Sequence, residues 1–221
     1  MSIKDLNEQQ LEQEKEMKKP DENSGVHVQG HIKIFDPETE EVFVDKRNAI
    51  HYENISEAIA LSLANKTTGF IHEMHFGNGG TSVDPTGVIT YLPANNTGSS
   101  SDLYNKTYYK VVDGNSSLNS DIDRNEMTVT HTAGKVYTDI IVSCLLDYGE
   151  PAGQSAFDNS TDLEGNYVFD ELGLKSWSGA VGEGKLLTHV IFHPVQKSLN
   201  RLIQIDYTIR IQTLTNLSSV A

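Results

Sequence analysis

Residues 178–189 read SGAVGEGKLLTH, and Gly179, Gly184 and Lys185 keep the Gly-x-x-x-x-Gly-Lys spacing of a phosphate-binding loop. In such a loop, backbone N–H groups and a helix N-terminus point at the anion, and a Ser or Thr after the lysine holds magnesium. Here Leu186 takes the hydroxyl position, and the following LLTHVIFHPV reads as a strand, not a helix. The stretch is therefore expected to be a glycine-rich hairpin loop and not a nucleotide site.

Other residues of chemical interest lead to the same kind of answer. HEMH (72–75) suggests metal, but its histidines are three apart on an expected strand, which points His72 and His75 to opposite faces. DIDRNE (121–126) starts like a calcium loop with Asp121, Asp123 and Asn125, yet Glu126 replaces the turn glycine and Thr132 stands at position 12. That loop and DNSTDLEG (158–165) are read as solvated turns, with a structural calcium as the alternative. No Gly-x-Ser-x-Gly elbow occurs, and Asp170 and Glu171 are neighbours on opposite strand faces, the wrong geometry for an acid–base pair. Cys144 alternates with Val142 and Leu146 and is read as an inert core thiol. The expectation is a protein that is not an enzyme and uses no cofactor or metal.

The elements that would carry these residues are mostly strands. VHVQGHIKIF (26–35) alternates, and RLIQIDYTIRIQ (201–212) alternates more cleanly, with Ile203, Ile205, Tyr207, Ile209 and Ile211 on one face. VFVD (42–45) begins a return strand after the turn DPETEE. NISEAIALSLAN (54–65) is the best helix, with Asn54 as cap, Glu57 completing a capping box and Asn65 as stop. Further strands are read at FIHEMHF (70–76), TYYKVV (107–112), EMTVTH (126–131), KVYTDIIVSCLL (135–146), NYVFDELGL (166–174) and after Lys185. Polar loops are expected at 77–87, 93–102 and 147–166.

Short strands, many turns and one helix predict a mainly β fold, an antiparallel β-sandwich with one short α-helix. Residues 1–25, with seven acids and four bases, read as an extended or helical arm, leaving 26–221 as a single sandwich-like domain. The net charge of −14 repels phosphate backbones and anionic lipid, so neither nucleic acid nor a membrane is an expected partner. The first residues lack an apolar core and do not read as a signal peptide. Tyr108, Tyr109 and Trp177, with Asn- and Asp-rich loops, leave a carbohydrate-binding module open as a less favoured reading.

Three segments in order, NAIHYENISEAIALSLAN with IHEMHFGNGGTSVDPTG, then SDLYNKTYYKVV, then residues 167–212, resemble the N-terminal attachment domain of bacteriophage tail-collar fibre proteins. The matching positions are Gly77 and Gly79; Glu171, Leu172, Gly173 and Leu174; Pro194 and Lys197; and the strand 202–212. The resemblance implies a virion component that joins parts of a phage tail, assembled in the host cytoplasm. Gly173 after Glu171 and Leu172 is read as a tight turn needing positive φ, and Gly77 and Gly79 as a loop with close backbone approach. No fibre shaft follows TLTNLSSVA, which favours an oligomeric adaptor in the tail, neck, collar or baseplate, with a head decoration protein as the alternative. Its partners would be other virion proteins and copies of itself.

Overall fold

The computed structural model describes residues 25–151 and 166–214. The expected arm 1–25, apart from Gly25, lies outside them, as do the acid-dotted 158–165 stretch and the last seven residues. The elements run β1 (Gly25–Phe35), β2 (Val42–Ile50), α1 (Tyr52–Leu63), β3 (Ile71–Gly77), β4 (Thr81–Val83), β5 (Ile89–Tyr91), β6 (Lys106–Val111), β7 (Glu126–His131), β8 (Tyr137–Leu146), β9 (Asn166–Ser176), β10 (Thr188–Ser198) and β11 (Ile203–Leu214).

Nine strands form one antiparallel sheet in the order β6-β3-β9-β10-β2-β1-β11-β8-β7, and β4 and β5 make a separate small hairpin. The sheet curls at one seam. β10 and β2 share only two paired positions, Thr188 with Ile50 and His189 with Ala49. On either side of that seam the pairing is extensive, and β1 matches β11 from Gly25–Leu214 to Phe35–Gln204 without a break. The two halves close on each other as a sandwich: Ile32, Cys144, Ile205 and Tyr207 from one half share a core with Met74, Phe76, Phe169 and Leu174 from the other. Lys110 on β6 crosses between them and donates from Nζ to Leu145 O on β8 at 2.7 Å.

The alternation that predicted β1 and β11 is the alternation of burial. Ile203, Ile205, Tyr207 and Ile209 are buried, while the residues between them are partly exposed. An aromatic cluster fills the other half, with Phe169 edge-on to Phe76 at 5.5 Å and to Phe192 at 5.7 Å. Each such pair is worth about 0.5–1.5 kcal/mol beyond the area it removes from water.

The helix starts two residues before its sequence reading. His51, not Asn54, is the N-cap: its Nδ1 accepts from Asn54 N at 3.3 Å. Tertiary pairing sets this start, because His51 N donates to Leu187 O. The capping box is not formed, since Glu57 is ion-paired with Lys185 in the loop before β10. The stop is as read. Asn65 adopts φ 51°, and Lys66 N closes back on Leu61 O at 3.0 Å.

Candidate functional site

β3 ends at Gly77, opposite Glu171 in the β3–β9 ladder. The chain then makes an excursion through the β4–β5 hairpin and returns at Asn105 to begin β6. Both ends of that excursion are held by the Glu171 carboxylate. Oε1 accepts from Gly79 N at 3.1 Å and Asn105 N at 2.8 Å; Oε2 accepts from Tyr104 N at 2.9 Å. His189 Nε2 donates to Oε2 at 3.0 Å. Its Nδ1 accepts from Asn95 N at 2.7 Å, which places the ring proton on Nε2. Glu171 and His189 are both fully buried. Burial pushes the Glu171 carboxyl up, but the His189 hydrogen bond and the three backbone amides outweigh it and hold the group below the usual range.

Asp170 grips the same segment one residue further on, accepting from Gly80 N at 2.9 Å and from the backbone and hydroxyl of Thr81. Here burial wins, and the carboxyl lies above its ordinary value. The close approach read for the glycines is present: a Cβ on Gly77 would meet Asn105 O and Glu171 Oε1 at 2.5 Å.

The turn read at Gly173 is not a turn. Glu171, Leu172, Gly173 and Leu174 lie inside β9, and Gly173 is not among the positive-φ glycines. Glycine stands there because a Cβ would meet Leu186 Cδ1 at 2.6 Å and Thr188 O at 2.7 Å. Leu172 and Leu174 are core residues. Pro194 and Lys197 are placed apart from this anchor, on β10. Pro194 falls where the β10–β9 register shifts, a position a strand proline tolerates. Lys197 is fully buried and donates from Nζ to Glu150 O at 2.9 Å and Ser198 O at 2.6 Å; burial lowers its pKa to about 8.

A second buried cluster answers the phosphate-loop question. Glu73 is opposite Lys175 across β3 and β9. Its carboxylate accepts from Gly182 N at 2.9 Å, while Lys175 Nζ donates to Gly182 O at 3.0 Å. Lys185 is exposed and ion-paired to Glu57 of α1, and β10 follows it where a phosphate loop would have a helix. The stretch is a hairpin loop pinned by the strands beneath it.

His72 and His75 do not diverge as expected. A register shift between Ile71 and Glu73 turns His72 toward Glu73, so His72 Nδ1 lies 3.0 Å from Oε1 and His75 Nε2 2.6 Å from Oε2. Trp177 lies tilted against His72 with ring centroids 4.3 Å apart, Tyr109 stacks on His75 at 5.5 Å, and Tyr108 is buried against Phe76. Sequence patterning missed Lys175 and His189, polar residues on strand positions whose partners come from distant segments.

Among the described residues, no group of three or more His, Cys, Asp or Glu side chains converges as a metal site. In DIDRNE, Asp121 pairs with Arg124, and buried Asn125 accepts from Leu145 N at 3.0 Å. Cys144 is fully buried, and its thiol is pushed up to about 12. No protein-family model, curated protein or solved structure matches this chain.

Proposed function

We propose that the chain is a structural protein of a bacteriophage particle, an adaptor or attachment protein of the tail, neck, collar or baseplate that works as a homo-oligomer. One observation carries the reading. Gly77 and Gly79 lie far in sequence from Glu171, and all three, part of the tail-collar resemblance, meet in one loop anchor, with Gly173 two positions along the same strand as Glu171. Residues that act together on the backbone define a local architecture, and that convergence is what supports the reading. The buried carboxylates of Glu171 and Asp170 are occupied by backbone donors, an arrangement suited to holding loops rather than to proton transfer.

The partners in this reading are other virion proteins and further copies of the chain, without nucleic acid or membrane. β7 offers the surface for a second copy. It ends the nine-stranded sheet, carries no Pro or Lys, and leaves Val129 70% exposed. Such an edge presents unpaired N–H and C=O groups to another strand. Light scattering after size-exclusion chromatography tests this. The expected result is a defined oligomer that Val129→Lys weakens while the chain stays folded, read by an unchanged circular dichroism spectrum. A monodisperse monomer at every concentration overturns the oligomeric adaptor.

A further inference from the structure

Ser116 stands on the turn that follows β6, with its Oγ 3.1 Å from Nε2 of His72. His72 Nδ1 is in turn 3.0 Å from Oε1 of Glu73. Hydroxyl, imidazole and carboxylate thus stand in a row, each within hydrogen-bond reach of the next. This is the arrangement by which a protein turns a serine hydroxyl into a nucleophile. We propose that Ser116, His72 and Glu73 form a hydrolytic triad that cleaves carboxylic esters of short acyl groups, with Ser116 as nucleophile, His72 as general base and Glu73 as the residue that positions His72. This inference goes beyond the structural role proposed above and does not depend on it.

The proton positions follow from the partners. Burial raises the Glu73 carboxyl, but hydrogen bonds from His75, His72 and Gly182 N outweigh it and keep the group ionised. A carboxylate only accepts, so His72 carries its proton on Nδ1 and leaves Nε2 as an acceptor. Ser116 agrees from its side. Its Oγ accepts from Leu118 N at 3.2 Å, which leaves the hydroxyl proton to point at Nε2. The backbone builds the placement. The irregular position between Ile71 and Glu73 that brings His72 beside its own neighbour is the kind of bulge that re-aims a side chain at a reactive site. Val112 N donates to His72 O, and Ser116 N donates to Asp113 O, which folds the turn back over the imidazole. His72 is 2% exposed and packs against Trp177, so the base is held in place. Gly114, Asn115, Ser117 and Leu118 are exposed around half-buried Ser116, so an ester reaches Oγ from solvent.

In the first step Ser116 Oγ bonds to the carbonyl carbon as its proton passes to His72 Nε2. The Ser117 N–H, next to the nucleophile and without an acceptor among the described residues, is the donor for the oxyanion. The carbon–oxygen bond to the alcohol then breaks, and Nε2 gives the proton to the departing alkoxide. In the second step water attacks the acyl group, passing a proton to Nε2, and the acid leaves as Oγ takes that proton back. An open turn suits a short acyl group, and an alkoxide leaves more readily than an amine, which selects esters over amides.

The full chain is treated with a fluorophosphonate, which labels activated serines, and the labelled residue is identified by peptide mass spectrometry. Hydrolysis of p-nitrophenyl acetate is followed in parallel. The expected result is a covalent label on Ser116 that unfolding in urea abolishes. Ester hydrolysis falls about 100-fold in Ser116→Ala while the circular dichroism spectrum is unchanged. Nitrogen NMR of the imidazoles finds His72 protonated on Nδ1, a signature that a merely structural Glu73 contact to a neutral Nε2–H ring would not give. No label on Ser116 in the native chain, equal labelling of native and unfolded chain, or hydrolysis that Ser116→Ala leaves unchanged overturns the triad. His72 protonated on Nε2 overturns its role as the base.

Discussion

Glu73 and Lys175 face each other across β3 and β9 and hold the same residue by its two backbone groups, Glu73 at Gly182 N–H and Lys175 at Gly182 C=O. Gly182 has φ 80°, a conformation that glycine adopts without side-chain strain. The hairpin that imitates a phosphate loop is thus shaped by an acid and a base beneath it. The lysine of its motif, Lys185, is an exposed partner of Glu57.

The two lysines are therefore expected to behave oppositely on substitution. Lys175→Met leaves Gly182 C=O and Asp102 short of a buried donor and costs about 2–4 kcal/mol in urea unfolding. Lys185→Met changes stability by no more than about 0.5 kcal/mol. Equal effects would contradict this assignment.

Glu171→Gln is expected to loosen both ends of the β3–β6 excursion at once. The amide replaces one acceptor oxygen with a donor that faces the donors of Gly79, Tyr104 and Asn105. Global stability falls by about 2–4 kcal/mol. Hydrogen exchange accelerates at Gly79, Tyr104 and Asn105 together. Acceleration at only one end would show that the carboxylate is not a shared anchor.

Gly173→Ala forces a Cβ into Leu186 and the Thr188 carbonyl inside β9, and overpacking of this kind costs about 1–3 kcal/mol. Gly114→Ala meets no atom within 4 Å and serves as the control, expected to be nearly neutral. The two are compared by thermal unfolding of the full chain.

Stability should decline with acid in two stages. Burial lowers the pKa of His75, so the unfolded chain takes up this proton at a higher pH than the native state does. Glu73 and Glu171 are also lowered: burial raises each, but hydrogen bonds from His75 and His189 and from backbone amides outweigh it. All three groups therefore contribute stability that is complete above their unfolded values and lost as pH falls. Asp170, raised by burial, works weakly in the opposite sense. The urea midpoint is expected to be level near neutrality, to fall below about pH 6.5 as His75 resists protonation, and to fall more steeply below about pH 4.5. His75→Gln removes the first stage. An unchanged midpoint from pH 7 to pH 4 would contradict the assignment.

The strands were legible where alternation equals burial. β1 and β11 are the clearest case, since their apolar faces are the core face of adjacent strands. The helix start was misread because His51 is fixed by Leu187 O, a contact that local capping signals cannot show. The side of His72 was misread because one irregular position between Ile71 and Glu73 reverses the alternation. The anchors escaped for a different reason. Glu73 and Lys175 are charged, and a hydrophobic pattern reads charge as surface; Glu171 was named only through the resemblance, as part of a turn. Their burial depends on backbone groups that arrive from distant segments. Gly173 was singled out correctly as a position needing glycine, but for space rather than for φ.

The most direct test of the central claim is to locate the chain in virions by cryo-electron microscopy, with mass-spectrometric identification of the density. A ring of copies on the tail, neck or baseplate, making contact with neighbouring virion proteins, is the predicted result. A lattice of copies over the head would make it a decoration protein instead, and absence from the particle would contradict the virion assignment altogether.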